Sequence, residues 1–342
     1  MNRTRSRSAI APSHDSESFP SGLYCPVLAL GLLLAFAPGQ AGAADKVVAD
    51  LVYAEVDGRE LHLDLHLPAK AKNAPLVVYI HGGGWRGGSR KQAPWFFGPL
   101  VEAGYAVASV EYRFSETAPF PAQIHDCKGA VRWLRTHAGR YGCDASGIAA
   151  IGCSAGGHLA LLLGLTDGDK RLEGTVGGNL DRSSRVAAVA DFYGPTDFVL
   201  RSKDQPEQTD KRGGKVYQLL GGPVQENLDR ARLASPAWHV SPGDAPILAF
   251  HGTADRTVLI NQSERLRDAC IQAGVPIALH RIDGAGHGDS RRKTPQEGAG
   301  ETMYFATREN RGRLIEFLDA HLKKSPPPTK ATASGAAEKS VR

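Results

Sequence analysis

Several features are missing from this chain, and each absence removes a class of function. No Lys-Ser or Lys-Thr pair follows its one run of three glycines, as a phosphate-binding P-loop would require. Its five cysteines are not spaced like zinc ligands. No metal and no cofactor is implied, and no internal repeat is present. The formal net charge of +5 belongs to the ends. Residues 1–43 hold Arg3, Arg5 and Arg7 against Asp15 and Glu17, and residues 323–342 hold five basic side chains against Glu338, which leaves the body near neutrality. A neutral body has no electrostatic footprint for nucleic acid. The apolar stretch from Val27 to Ala37 is too short to span a bilayer. With arginines before it and Ala41-Gly42-Ala43 after it, it reads as an export signal over residues 1–43. The expectation is a secreted or periplasmic chain beginning near Ala44. The segment 323–342, with three consecutive prolines among Ala, Ser and Lys, reads as a disordered basic tail.

What is present centres on Gly152-Cys153-Ser154-Ala155-Gly156, a GxSxG pattern between Ile148-Ala149-Ala150-Ile151, of strand character, and Gly157-His158-Leu159-Ala160-Leu161-Leu162-Leu163, of helix character. A strand turning sharply into a helix lifts the serine hydroxyl clear of the backbone, and flanking glycines are needed because a Cβ would clash in so tight a turn. The helix amino end favours developing negative charge. Cys153 is read as a small residue filling the elbow rather than as a second nucleophile. Cys127 and Cys143 leave a disulfide open, although Cys127 falls on the apolar face of an expected helix and reads as a buried thiol.

In chain order, alternation from Lys46 to Val56 and from Glu60 to Leu67 around Asp57-Gly58 predicts a β-hairpin. Apolar runs at Leu76–Ile80, Tyr105–Val110 and Ile148–Ile151 predict buried strands, and further strands are expected over Val186–Phe192, Pro246–Phe250 and Ile277–Ile282. Helices are expected over residues 90–103, 122–138, from Ser154, over 259–273 and over 303–322. This alternation predicts an α/β fold, a mainly parallel twisted sheet with helices on both faces, spanning residues 44–322. Between Thr196 and Asp244 the pattern lapses into polar, Gly-punctuated sequence, read as an insertion with one or two short helices over the carboxyl edge of the sheet.

A serine hydroxyl needs a base, and a base of imidazole type needs a carboxylate to fix its tautomer. His287 in Asp283-Gly284-Ala285-Gly286-His287-Gly288 and Asp255 in His251-Gly252-Thr253-Ala254-Asp255 each follow a predicted strand at the same sheet edge. The order Ser154, Asp255, His287 is the one this architecture requires. A tetrahedral intermediate needs donors fixed in advance. The amide of Ala155 and amides within Gly82-Gly83-Gly84 can supply them. Trp85 and Trp238 are the candidates to line the substrate cleft, with Trp95, Phe96 and Phe97 as further aromatics that serve equally well as packing.

The motifs HGGGW at 81–85, EYR at 111–113, FPAQIHD at 120–126, GCSAGGHLA at 152–160, DFYGPTD at 191–197, HGTAD at 251–255 and GAGH at 284–287 together resemble esterases of the α/β-hydrolase fold. Within these, the chain is most similar to the hormone-sensitive-lipase-like branch and the BD-FAE group, bifunctional feruloyl and acetyl xylan esterases. The resemblance covers residues 46 to 322. It implies Ser154, Asp255 and His287 as a catalytic triad, Gly83, Gly84 and Ala155 as oxyanion amides, and a carbohydrate or small-molecule ester carrying a short acyl group as substrate. Readings that remain open are a peptidase, amidase or formamidase on the same fold, and a non-catalytic binding protein.

Overall fold

The computed structural model describes residues 46–288, 291–292 and 302–323. The expected export signal lies outside them, as does the expected tail beyond Lys323. The hairpin forms as read, β1 (Lys46–Val56) pairing antiparallel with β2 (Arg59–Leu67). β2 pairs antiparallel with β4 (Ala106–Val110), and the remaining pairs of this sheet are parallel, through β3 (Ala74–Ile80), β5 (Cys143–Cys153), β6 (Ala188–Phe192), β7 (Ile247–Gly252) and β8 (Ile277–Ile282). The sheet order is β1-β2-β4-β3-β5-β6-β7-β8. Helices are α1 (Phe97–Glu102), α2 (Ala122–His137), α3 (Ala155–Leu165), α4 (Lys170–Glu173), α5 (Phe198–Asp204), α6 (Pro206–Thr209), α7 (Lys215–Leu220), α8 (Leu228–Leu233), α9 (Asn261–Ala273) and α10 (Arg308–Leu322). This is the α/β-hydrolase fold.

The period of two along each strand divides the core. Leu76, Val78, Ile80, Ile148 and Ala150 face α2, α3 and α9, whereas Val77, Tyr79, Ala149 and Ile151 face α1 and α10. Runs that are apolar throughout are required because both faces are covered. All eleven residues of α3 are buried, since it is packed between the sheet and the segment after Thr196.

Three expectations are corrected. Residues 90–96 are not helical; helix begins only at Phe97. Pro94 cannot donate within a helix, and Ser109 Oγ donates to the Arg90 carbonyl at 2.6 Å while the Arg90 guanidinium reaches Asp64 and Glu111, which holds this stretch against the sheet edge. The last helix starts at Arg308 rather than 303, where Thr307 Oγ1 accepts from the Asn310 amide. The insertion carries four short helices, α5 to α8, instead of one or two. Each is set by a local device: Asp197 caps α5 by accepting from the amides of Val199 and Leu200, Pro206 opens α6, and Gly221 ends α7 in a left-handed conformation. Helices of four to seven residues are too short to show a 3.6-residue period. Cys127 and Cys143 are free, buried thiols.

The passage from β5 into α3 depends on close approach. A Cβ at Gly156 would lie 2.0 Å from the Ile80 carbonyl oxygen, whereas one at Gly98 in α1 would meet nothing within 4 Å. Gly156→Ala is therefore expected to cost about 3 kcal/mol or more through overpacking against backbone. Gly98→Ala should be neutral or stabilising by about 0.5–1 kcal/mol. Denaturant midpoints of the two variants check this, and equal effects would contradict it.

Candidate active site

Ser154 sits between β5 and α3 with φ 55° and ψ −120°, a conformation that costs an L-residue energy and is retained where the surroundings force it. Its amide is held by the Phe192 carbonyl at 2.8 Å. Trp85 and Tyr193 also have positive φ, 59° and 48°, and both border the same cavity of about 640 Å³ as Ser154.

His287 follows β8 on the Gly-containing loop, and its Nε2 lies 2.8 Å from Ser154 Oγ while its Nδ1 lies 2.7 Å from Asp255 Oδ2. The three residues thus form one hydrogen-bonded chain from three separate strand ends. Asp255 follows β7 in a turn in which its Oδ1 accepts from the amides of Thr257 and Val258 at 2.8 and 3.0 Å. Burial raises its pKa, but hydrogen bonding to His251, His287 and the Val258 amide outweighs this and holds the carboxyl well below the usual range. It is ionised wherever an imidazolium has to be stabilised. The His287 ring is fixed from its edge by Tyr193, whose ring centroid is 4.8 Å away. Tyr193 was read only as part of DFYGPTD; nothing in the sequence placed it against His287.

The glycine strip after β3 is anchored on both sides. The His81 ring stacks on Tyr112 at 4.5 Å, its Nδ1 is 2.7 Å from the Gly82 carbonyl, and Tyr112 Oη donates to the His81 carbonyl at 3.1 Å. Gly83 and Gly84 take φ of 113° and 65° and border the cavity with Ser154. Ala155 opens α3, where the first amides have no acceptor within the helix. The residues named for the oxyanion site therefore lie around one serine.

Of the aromatic residues expected at a substrate rim, most are packing. Trp85 borders the cavity as expected but is only 4% exposed. Its Nε1 donates to His158 Nδ1 at 3.1 Å, and His158 Nε2 donates to the Ala234 carbonyl at 2.6 Å. That pair of bonds fixes His158 as a neutral tautomer, and burial pushes its pKa down to about 4. The motif histidine ties the elbow helix, the glycine strip and the insertion together. Phe96 and Phe97 are buried on the far core with Tyr79, and Trp95 packs on Phe96 and Phe192. Trp238 is exposed, but away from the cavity wall: its Nε1 donates to Asp197 Oδ2 at 2.9 Å beneath the Arg232 guanidinium. Cys153 borders the cavity. A pair behind the acid turn was not foreseen. His251, fully buried, has Nδ1 2.7 Å from Ser263 Oγ and Nε2 2.8 Å from the Val258 carbonyl. Asp191 on β6 is also fully buried, with Oδ1 accepting from the Gly194 amide and Oδ2 unpartnered. Burial pushes its pKa up to about 7, against the pull of His251 and that amide.

Comparison with known proteins agrees with this fold. A family model described as BD-FAE matches residues 63–270. The esterase LipC of Mycobacterium tuberculosis is 34% identical over 64% of this chain and 53% of its own length. The arylesterase of Saccharolobus solfataricus is 34% identical over 68% of this chain and 74% of its own. Among solved structures, a truncated carbohydrate esterase from gut microbiota superposes with a TM-score of 0.72 at 28% identity, over 83% of this chain and 99% of that one. Esterase Est2 of Thermogutta terrifontis gives 0.62 at 26% identity, over 84% and 98%. The chain spans about half the length of the mycobacterial relatives LipC and LipM, 53% and 56%.

The buried carboxyl of Asp191 makes a pH-dependent contribution. Between 3.8 and about 7 the folded state holds a proton that the unfolded state has released, so stability falls as pH rises through that window. Asp191→Asn removes this slope, and its denaturant midpoint relative to wild type should be higher at pH 8 than at pH 5. An equal difference at both values would contradict the assignment.

Proposed function

The chain belongs to the BD-FAE family of the α/β-hydrolase fold, and from that premise we propose that it is a serine carboxylic-ester hydrolase acting on short acyl esters of a carbohydrate or similar alcohol. The observation that carries this reading is the Ser154–His287–Asp255 chain of hydrogen bonds, at 2.8 and 2.7 Å, on the floor of a cavity. Ser154 Oγ attacks the ester carbonyl as its proton passes to His287 Nε2. Asp255, ionised and held by two amides, stabilises the imidazolium through Nδ1–H. The oxyanion is received by the amides of Gly83, Gly84 and Ala155, each contributing about 3 kcal/mol to lowering the barrier. His287 then protonates the departing alcohol, and a water activated by the same imidazole releases the acid from Ser154.

Short acyl groups, acetyl first, are supported by relatives of that kind. One solved relative is a carbohydrate esterase, and another, Est2, is described as binding propionate. A serine peptidase reading gains no separate support. The leading residues Arg3 to Ala43 support export to the periplasm or exterior, and among the described residues no helix is long and apolar enough to cross a membrane.

The test is hydrolysis of p-nitrophenyl acetate, butyrate and octanoate by wild type and Ser154→Ala. Acetate should be cleaved fastest, and the variant, folded by circular dichroism, should lose at least about a thousandfold in kcat. A variant that keeps its turnover contradicts the role of Ser154. Octanoate as the best substrate contradicts the short acyl group.

A further inference from the structure

The cavity wall carries an imbalance of charge that ester hydrolysis does not use. Apart from His287, its charged lining is Arg86, Arg201 and Lys215 against the single carboxylate Glu207. Among the described residues none of the three cations is in an ion pair. Arg86 donates to the Gly213 carbonyl and to Gln218 Oε1, both uncharged. Lys215 opens α7, and its stem lies over the glycine strip: a Cβ at Gly84 would be 2.4 Å from Lys215 Cδ.

Arg201 is the unusual member. It sits on α5, is 5% exposed, and spends one nitrogen on the Thr257 carbonyl, with Nη2 donating at 2.7 Å. Its Nε and Nη1 are shielded from solvent and have no partner. A guanidinium withdrawn from water with two of its nitrogens unsatisfied is costly unless an acceptor arrives. The nearest compensating charge, Asp255, is already committed to His287. Burial pushes the Arg201 pKa down to about 10, only partly offset by Asp255. It remains charged at neutral pH and short of an anion. Either unsatisfied nitrogen, taken with the second N–H of Nη2 beside it, presents two parallel donors that match the two oxygens of a carboxylate.

We propose that the cavity takes esters carrying a carboxylate, bound by Arg201 with Lys215 adding positive charge across the cavity. This rests on the reading of the site as an ester hydrolase and narrows its substrate to acidic esters. The carboxylate can belong to the acyl part, as in a hemi-ester of a dicarboxylic acid, or to the alcohol part, as in an acetylated acidic sugar.

The experiment compares kcat/KM in two matched pairs. Mono-4-nitrophenyl succinate against 4-nitrophenyl acetate places the charge on the acyl side, and 4-acetoxybenzoate against phenyl acetate places it on the alcohol side. Wild type should favour the anionic member of at least one pair by about tenfold or more. That ratio should collapse toward one in Arg201→Gln and fall in Lys215→Gln, whose surface position makes it the safeguard should Arg201→Gln fail to fold. The ratio is the readout because Arg201 also braces the Asp255 turn through Thr257. Loss of a brace lowers both members of a pair alike and leaves their ratio intact. In parallel, titration calorimetry measures binding of succinate and 4-hydroxybenzoate to Ser154→Ala, which needs no turnover. Ester cleavage with ratios of one or less, or ratios that survive these substitutions, overturns the anion site while the esterase reading stands. No cleavage of any ester, with carboxylate binding that is lost in Ser154→Ala/Arg201→Gln, leaves the anion site and sinks the esterase reading. Neither cleavage nor binding overturns both.

Discussion

A close approach of two backbones positions the candidate site of this molecule. α3 begins against the carboxyl ends of β3 and β5, with Gly156 so near the Ile80 carbonyl that no side chain fits between. Only there can the chain leave β5 and enter a helix within one residue. That residue is Ser154, forced to a positive φ and held by the Phe192 carbonyl. The same approach sets the glycine strip after Ile80 beside the first amides of α3. The serine proposed as nucleophile and the donors proposed for the oxyanion are thus both placed by one packing contact, and the strain at Ser154 is carried by a sheet whose central strands are buried on both faces.

Around that point, hydrogen bonding decides which buried carboxyl is ionised. Asp255 is kept ionised by amides and by the imidazoles of His251 and His287, and Asp191, one strand away with fewer donors, is pushed toward neutrality. Two carboxylates of similar depth differ because of the hydrogen bonds each receives. The insertion participates in the same region. Arg201 of α5, Gln208 of α6 and Gln205 between the two helices all donate to carbonyls of Arg256 and Thr257, so the segment over the cavity also clasps the turn that presents Asp255. Substrate recognition and the geometry of the acid are therefore linked through α5.

The features legible in the sequence were those encoded locally. The central strands announced themselves as apolar runs because both faces are buried, and Ser154, Asp255 and His287 could be named because each stands just after an expected strand in a Gly-containing turn. The aromatic side chains could not be placed, because exposure is a tertiary property. Trp85 follows the glycine strip in sequence, yet its ring is consumed by His158 and Phe198. The same limit hid Arg201, Tyr193 and the Asp191–His251 pair, whose roles arise from elements distant in the chain. The insertion was recognised by its lost periodicity, but its four helices were too short to count. The arginine at position 113, quoted only as a motif letter, makes a two-pronged contact with the buried Asp126, which explains both motifs without reference to chemistry.

The central claim is that Ser154 alone is made nucleophilic, by His287, among the groups bordering the cavity. Labelling with a fluorophosphonate, followed by peptide mass spectrometry, tests it without assuming any substrate. The account predicts one adduct per chain, on Ser154, formed at a rate that collapses in His287→Ala. Absence of labelling, labelling of Cys153 instead, or labelling of Ser154 at an unchanged rate without His287 would contradict it.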